Sequence, residues 1–265
     1  MKSEKDYLWL QLRDLPYFRA LLRAVEARFY KEIQLPAPTL DVGCGDGHFA
    51  TVAFDRPLEV GLDPWEGPVH EAARRGSYQA VVHADGGSMP FPEAYFASAV
   101  SNSVLEHIPH VQTVLNETAR VLAPGAPFVF CVPNHNFLSS LSIARSLDSM
   151  GLSSPAEGYR AFFNRISRHH HCDPPDVWQG RLEDAGFQLV RWWHYFSPQA
   201  LRIMEWGHYF GLPSLVSHWL TRRWILSPTS WNLALTRGLV QPYYDADPVC
   251  DQGVYTFYIT RRFDR

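Results

Sequence analysis

The chain has 265 residues, 46% hydrophobic and 19% charged, which excludes a peptide-sized scaffold and a disordered polymer and suits one α/β domain with insertions. With 24 basic against 27 acidic side chains the net charge is −3, so no global field draws the molecule to nucleic acid and any basic surface must be local. Four scattered cysteines without a C-x-x-C pair argue against a disulfide framework or zinc ribbon and point to a reducing compartment.

In residues 15–35 the apolar Phe18, Leu21, Leu22, Val25 and Phe29 recur at helical spacing, with Arg19, Arg23 and Lys31 on other faces. This predicts one amphipathic lead-in helix within segment 1–36. Pro36 and Pro38 end it, and 39–42 reads as a short buried strand running into Gly43-Cys44-Gly45-Asp46-Gly47 and a short helix that stops near Asp55. A second strand, 58–62, ends at Asp63-Pro64; the helix after it takes Pro68 in its first turn and closes at Gly76. Strands over 80–83 and 97–100 follow, the first ending near Asp85, the second leading into Ser101-Asn102. Val111, Val114, Leu115, Ala119 and Leu122 then share one helical face, and 127–132 is a wholly apolar fifth strand. This alternation predicts a parallel sheet with helices on both faces.

After Pro133 the rhythm breaks. Residues 134–175 read as an irregular insertion rich in Ser, Arg and His; a helix from Asp176 to Gly186 and a strand over 187–195 resume the pattern. A second insertion, 198–252, carries helical patches at 198–209 and 213–226, and 254–260 is an alternating strand at the C-terminal edge. The expected organisation is one domain over 1–265, with 37–133 as its cofactor-binding half. Six of nine tryptophans fall between Trp192 and Trp231, so the last third differs in kind from the rest.

Open α/β sheets bind ligands where strands end at their carboxyl edge. There Gly43, Gly45 and Gly47 allow a tight turn and close approach of backbone amides to a ligand, and Asp41 precedes that turn. The spacing is G-x-G-x-G, which disfavours a nicotinamide oxidoreductase wanting G-x-G-x-x-G. Asp63, ending the next strand, can accept both hydroxyls of a ribose, and Asp85 can meet the amino edge of an adenine.

The ordered set Asp41-Val42-Gly43-Cys44-Gly45-Asp46-Gly47, Leu62-Asp63, Ala84-Asp85 with Met89-Pro90-Phe91, Leu105-Glu106-His107 and Leu122-Ala123-Pro124-Gly125 resembles class I S-adenosylmethionine-dependent methyltransferases. The likeness is to the small-molecule branch, similar to ubiquinone/menaquinone methyltransferases. It covers 37–133 strongly, and 176–197 and 253–262 weakly. The resemblance implies a Rossmann-like seven-stranded sheet with helices on both faces, two insertions and an antiparallel last strand. It also implies S-adenosylmethionine as cofactor and S-adenosylhomocysteine as product. The cofactor site it implies comprises Asp41, Gly43, Cys44, Gly45, Gly47, Leu62, Asp63, Pro64, Asp85, Gly86, Ser101 and Asn102. Family members often carry Phe-Asp where this chain has Phe96-Ala97, a structural departure that removes no cofactor contact.

Methyl transfer from a sulfonium needs acceptor and methyl held close and collinear in a dry site, and a base only where the acceptor must lose a proton. His107, with Glu106 behind it, is the candidate base. No metal site is read from His169-His170-His171-Cys172-Asp173, because neighbours on an extended chain point alternately; these histidines read as loop filler first, or as a cover over the acceptor. In 198–244, Arg202, Arg222, Arg223 and Arg237 stand against Glu205, with Trp206, Trp219, Trp224 and Trp231 interleaved and Leu212, Leu215, Val216, Leu220 and Leu226 partly on one face. The segment reads as a lid over a small-molecule or lipid-like acceptor, as a surface for peripheral membrane contact, or as an oligomer contact, the first two being compatible. Met1 to Asp6 lack a signal sequence and no long uncharged apolar run follows, so a cytoplasmic chain is expected, at most peripheral to a membrane. The rival function is a non-catalytic cofactor-binding scaffold whose aromatic insertion holds a partner. Acceptor identity and oligomeric state stay open.

Overall fold

The computed structural model describes residues 5–263, without the side chains of Leu212 and Pro213; Met1 to Glu4 of the expected N-terminal reading lie outside it. Two helices, not one, precede the sheet: α1 (Tyr7–Leu12), capped by Asp6, whose carboxylate accepts from Trp9 N at 2.9 Å, and α2 (Tyr17–Tyr30). A turn at Ser-free, charged Arg13-Asp14 and Pro16 divides them, a break that the apolar spacing of α2 does not extend across.

Seven strands form one sheet in the order β3-β2-β1-β4-β5-β7-β6: β1 (Thr39–Val42), β2 (Leu58–Asp63), β3 (Tyr78–His83), β4 (Ser98–Asn102), β5 (Pro127–Pro133), β6 (Phe187–Tyr195) and β7 (Tyr255–Arg262). The first five pair in parallel, with Asp41 beside Gly61 and Val100. The last strand is not an edge strand as expected: β7 lies between β5 and β6, antiparallel to both, and β6 forms the edge.

Three helices join the parallel strands: α3 (His48–Ala53), α4 (Glu66–Arg75) and α5 (Val111–Val121). Gly76 ends α4 in the left-handed region. The first insertion, expected to be irregular, folds into α6 (Asn136–Ser139), α7 (Ser142–Ser149) and α8 (Ser153–Ser167). Then α9 (Pro175–Ala185) precedes β6, and the second insertion forms α10 (Pro198–Phe210), α11 (Leu212–Thr221) and α12 (Ala234–Asp245). Pro198 opens α10 where its missing N–H costs nothing, and the Ser197 hydroxyl accepts from Ala200 N.

The continuous apolar run of β5 follows from burial on both faces. Val129 and Cys131 join Leu21, Val25 and Phe257 on the side covered by α2, while Phe128 and Phe130 join Leu115, Trp178 and Tyr258 on the side of α5 and α9. These two layers leave the carboxyl ends of β1, β2 and β4 facing the N-terminal helix α2 and the second insertion.

Candidate active site

At the end of β1 the chain turns through Gly43 (φ +81°) and Gly45 (φ +54°), and Gly43 N and Cys44 N both donate to Leu62 O. A Cβ on Gly43 would stand 2.3 Å from Val104 Cγ1, so only glycine lets the turn pass under that side chain. A Cβ on Gly45 would meet nothing within 4 Å: that glycine faces open space. Gly45 N donates to Asp63 Oδ2 at 2.9 Å, tying the turn to the end of β2.

Around this turn lies a chamber of about 600 Å³. Of the sequence-predicted residues, Asp41, Gly43, Cys44, Gly45, Leu62, Asp63, Pro64, Asp85, Gly86 and Asn102 line it. Two do not. Gly47 caps α3 in the left-handed conformation, where a Cβ would crowd Ser77 Oγ and Ala72 Cα. Ser101 is buried and its hydroxyl donates to Val42 O at 2.8 Å, tying β4 to β1.

The acids of the chamber sit in unequal settings. Asp41 is buried and accepts from Tyr78 OH at 2.6 Å; burial raises its pKa to about 7, and Asp63 nearby adds to the rise against the Tyr78 hydrogen bond. Asp63 accepts from both Gly45 N and Trp65 N, yet burial still lifts it above the usual range. Asp85 is exposed and accepts from Gly87 N at 2.6 Å.

A second chamber, about 530 Å³, adjoins the first. Arg19, Arg23, Ser103, His107 and Trp224 line both. The walls of the second are mixed: apolar from Phe18, Leu22, Phe137, Met204, Leu215 and Tyr255, polar from Glu106, Arg168, His169 and His208.

His107 lies in a 3₁₀ turn, Leu105–His107, between β4 and α5. Its Nδ1 donates to Arg168 O at 3.0 Å, which leaves Nε2 as the free acceptor, 3.7 Å from Glu106 Oε1. The surrounding protein, chiefly by desolvation, holds its pKa below the ordinary 6.5. Glu106 is buried, its Oε2 has no hydrogen-bond partner, and burial pushes its pKa up to about 8. His169 comes from the first insertion to complete a group whose ligand atoms lie within 4.8 Å of one another; burial drives it down to about 3. At neutral pH all three are therefore uncharged, and His107 Nε2 can take a proton without an ion pair to break. They are also the donors, among the described residues, that could hold a metal ion. Only His169 of the histidine run joins them; His170 N and His171 N donate to Glu106 O, pinning the insertion to the turn.

Sequence reading missed the contribution of α2. Glu26 is fully buried and accepts from Arg23 Nη1, Asn102 Nδ2, Ser103 Oγ and Tyr195 OH at 2.8, 2.6, 3.0 and 2.9 Å. Its signal was present: Glu26 lies four residues after Leu22 and three before Phe29, on the apolar face. Trp65, exposed at the chamber's lip, and Trp224, stacked on His218 at 4.1 Å and lying under the Arg19 guanidinium, carried no comparable pattern.

Residues 40–130 match the family model for a methyltransferase domain. An uncharacterised methyltransferase of Mycobacterium sp. (strain JLS) is 36% identical over 159 residues, 58% of this chain and 59% of that protein. The chain thus spans well under two thirds of the length of such curated relatives. Among solved structures, an S-adenosylmethionine-dependent methyltransferase from Thermotoga maritima, described as a possible histamine N-methyltransferase, superposes with a TM-score of 0.56 at 13% identity, covering 93% of this chain and 90% of that one. Haemonchus contortus phosphoethanolamine N-methyltransferase 2, in complex with phosphomonomethylethanolamine and S-adenosylhomocysteine, gives 0.54 at 14% identity over 93% of this chain and 53% of that one. At these identities the structural likeness is one of fold.

Proposed function

We propose that this chain, whose residues 40–130 match the family model for a methyltransferase domain, is an S-adenosylmethionine-dependent methyltransferase that transfers a methyl group to an acceptor held in the second chamber, with the cofactor in the first. The observation that carries this reading is the shared wall: the glycine-turn chamber and a second chamber of mixed apolar and polar lining meet at His107, Arg23 and Ser103. A non-catalytic scaffold has no use for an acid–base group at that junction.

The residues fit the cofactor. Gly45 leaves open space for it, and Asp41, Asp63 and Asp85 offer carboxylates suited to a cationic, hydroxyl-bearing ligand, with Asn102 beside them. When bound there, S-adenosylmethionine supplies an activated methyl carbon that needs no further activation by the protein. The protein's part is positional. Phe18, Leu22, Phe137 and Met204 exclude water from the acceptor's apolar body, and His107 Nε2 accepts the proton that a hydroxyl or acidic carbon must release.

Calorimetry with S-adenosylhomocysteine tests the cofactor reading directly: the folded chain binds it, and absence of heat from a folded chain would remove the proposal. Asp63→Ala costs about 1–3 kcal/mol of that affinity. His107→Ala leaves it intact but lowers turnover of a hydroxyl acceptor about a hundredfold or more, assayed as S-adenosylhomocysteine release against a panel of phenolic and hydroxy acids. Since the base works unprotonated, wild-type kcat/KM falls as pH drops, with a midpoint below the ordinary 6.5 of histidine.

A further inference from the structure

No acidic residue occurs between 206 and 244. The nearest, Glu205, is buried and committed: its carboxylate accepts from Ser142 N and Ile143 N at 2.6 and 3.1 Å, at the start of α7. Arg237 is paired with Asp6 at 2.9 Å. That leaves Arg222 and Arg223 exposed where α11 ends, with no ion pair among the described residues. Asp14, Asp46 and Glu71 line the cleft beside them, but Asp14 is held by Arg13 and His48 and Asp46 by Arg75, so four arginines stand against three carboxylates and the surplus is positive.

Beside these arginines lies an apolar stripe. Leu215, Val216, Trp219 and Leu220 fall at i, i+1, i+4 and i+5 of α11, all exposed, and Leu226 follows in the next turn; Trp219 is 76% exposed. The side chain of Leu212, included in the expected face, lies outside the described residues. Such a stripe is more than scattered surface hydrophobes, since it is continuous, tryptophan-bearing and flanked by cations. At 10 residues α11 is about 15 Å long, half the hydrocarbon thickness of a bilayer, and no described helix is long and apolar enough to cross one. It can lie in the interface but not span it. The stripe is also continuous with the second chamber, which Leu215 and Trp224 help to line.

We propose that α11 and the turn through Leu226 seat this protein on an anionic lipid bilayer. Trp219 and Leu220 enter the interface, Arg222 and Arg223 meet the headgroup phosphates, and the second chamber opens toward lipid to receive an acceptor carried on an amphiphile. Charge complementarity selects this occupant over a neutral protein face. The acceptor class rests on the methyl-transfer reading; the seating does not.

The test uses the full chain with vesicles of phosphatidylcholine alone and of equal parts phosphatidylcholine and phosphatidylglycerol, at low and high salt. The protein pellets with the mixed vesicles, its tryptophan emission shifts to the blue, and salt weakens the association. Reversing both charges, Arg222→Glu with Arg223→Glu, lowers partitioning by about thirtyfold or more, and Trp219→Ser with Leu220→Ser abolishes the blue shift. Both variants alter exposed side chains and keep S-adenosylhomocysteine affinity in calorimetry, which separates lost seating from lost folding. Failure to pellet with mixed vesicles, or equal pelleting by the charge-reversed variant, overturns the proposal. So does a lipid-free dimer in ultracentrifugation that Trp219→Ser with Leu220→Ser disrupts, because a second copy then covers the stripe. Vesicle binding by a chain that takes up no S-adenosylhomocysteine would uphold the seating while removing the reading of the chambers.

Discussion

Glu26 shows how one buried charge can organise a site it was not suspected of serving. Four donors from α2, the end of β4 and β6 converge on it, so its desolvation is offset by hydrogen bonds rather than by solvent. Glu26→Ala strands the Arg23 guanidinium and should destabilise the fold by about 3–5 kcal/mol in urea denaturation, with Glu26→Gln costing less; a loss too small to measure would show that the network is incidental. Asp41 makes a prediction of opposite character. Its folded pKa of about 7 stands above its ordinary 3.8, so the folded chain holds a proton that the unfolded chain has released. The associated stability is complete below 3.8 and lost as pH rises through 7. Exposed His107 and half-buried His169 act the other way below 6.5, because desolvation lowers their pKa values. The informative comparison is therefore Asp41→Asn against wild type at each pH: the variant's melting temperature should gain on wild type from pH 5 to pH 8. A cationic ligand should in turn bind wild type more tightly as Asp41 ionises, a trend that Asp41→Asn flattens in calorimetry.

At the scale of elements, what could be read from local pattern was read, and what depended on distant pairing was not. The strand–glycine turn–helix at 39–53 and the acids at the ends of β2 and β3 are visible because φ-permissive glycines and carboxylates announce themselves within a few residues. The position of β7 is invisible in this way, since its alternation reports which faces are covered and nothing about which strands flank it. The helices of 134–175 escaped because α7 and α8 bury only Ala144, Ala156 and Phe163, too few apolar residues to set a period. The resemblance implied Ser101 in the cofactor site; Ser101 does not line the first chamber, and its hydroxyl ties β4 to β1. Packing of α10 on α2 offers a test at this scale. A Cβ on Gly207 would fall 2.3 Å from Phe18 Cβ, an approach only glycine permits. Gly207→Ala should cost about 1–3 kcal/mol by overpacking and open the second chamber, seen as faster amide exchange across 198–210; unchanged exchange would mean that the two helices part freely.

For the molecule as a whole, the uneven distribution of tryptophan now has a spatial meaning. The half that holds the glycine turn carries Trp65 alone between Asp41 and Asn102, while the aromatic third builds β6 and the helices over the second chamber. Stability should couple to occupancy of the first chamber, because a ligand that binds only the folded chain stabilises it by mass action. At a hundred times its Kd, S-adenosylhomocysteine should raise the melting temperature by about 5–10 °C in a thermal-shift assay, and no shift would argue that the chamber does not take it. The wall of Arg19, Arg23, Ser103, His107 and Trp224 has one more consequence. Two cavities that share side chains can be bridged by one compound. A single molecule joining an adenosine-like end to an apolar end would convert two separate encounters into one, so that each half raises the effective concentration of the other. Inhibitors of this protein are therefore best built as tethered pairs, and the tether length that binds most tightly would serve as a ruler for the path of the proposed methyl transfer.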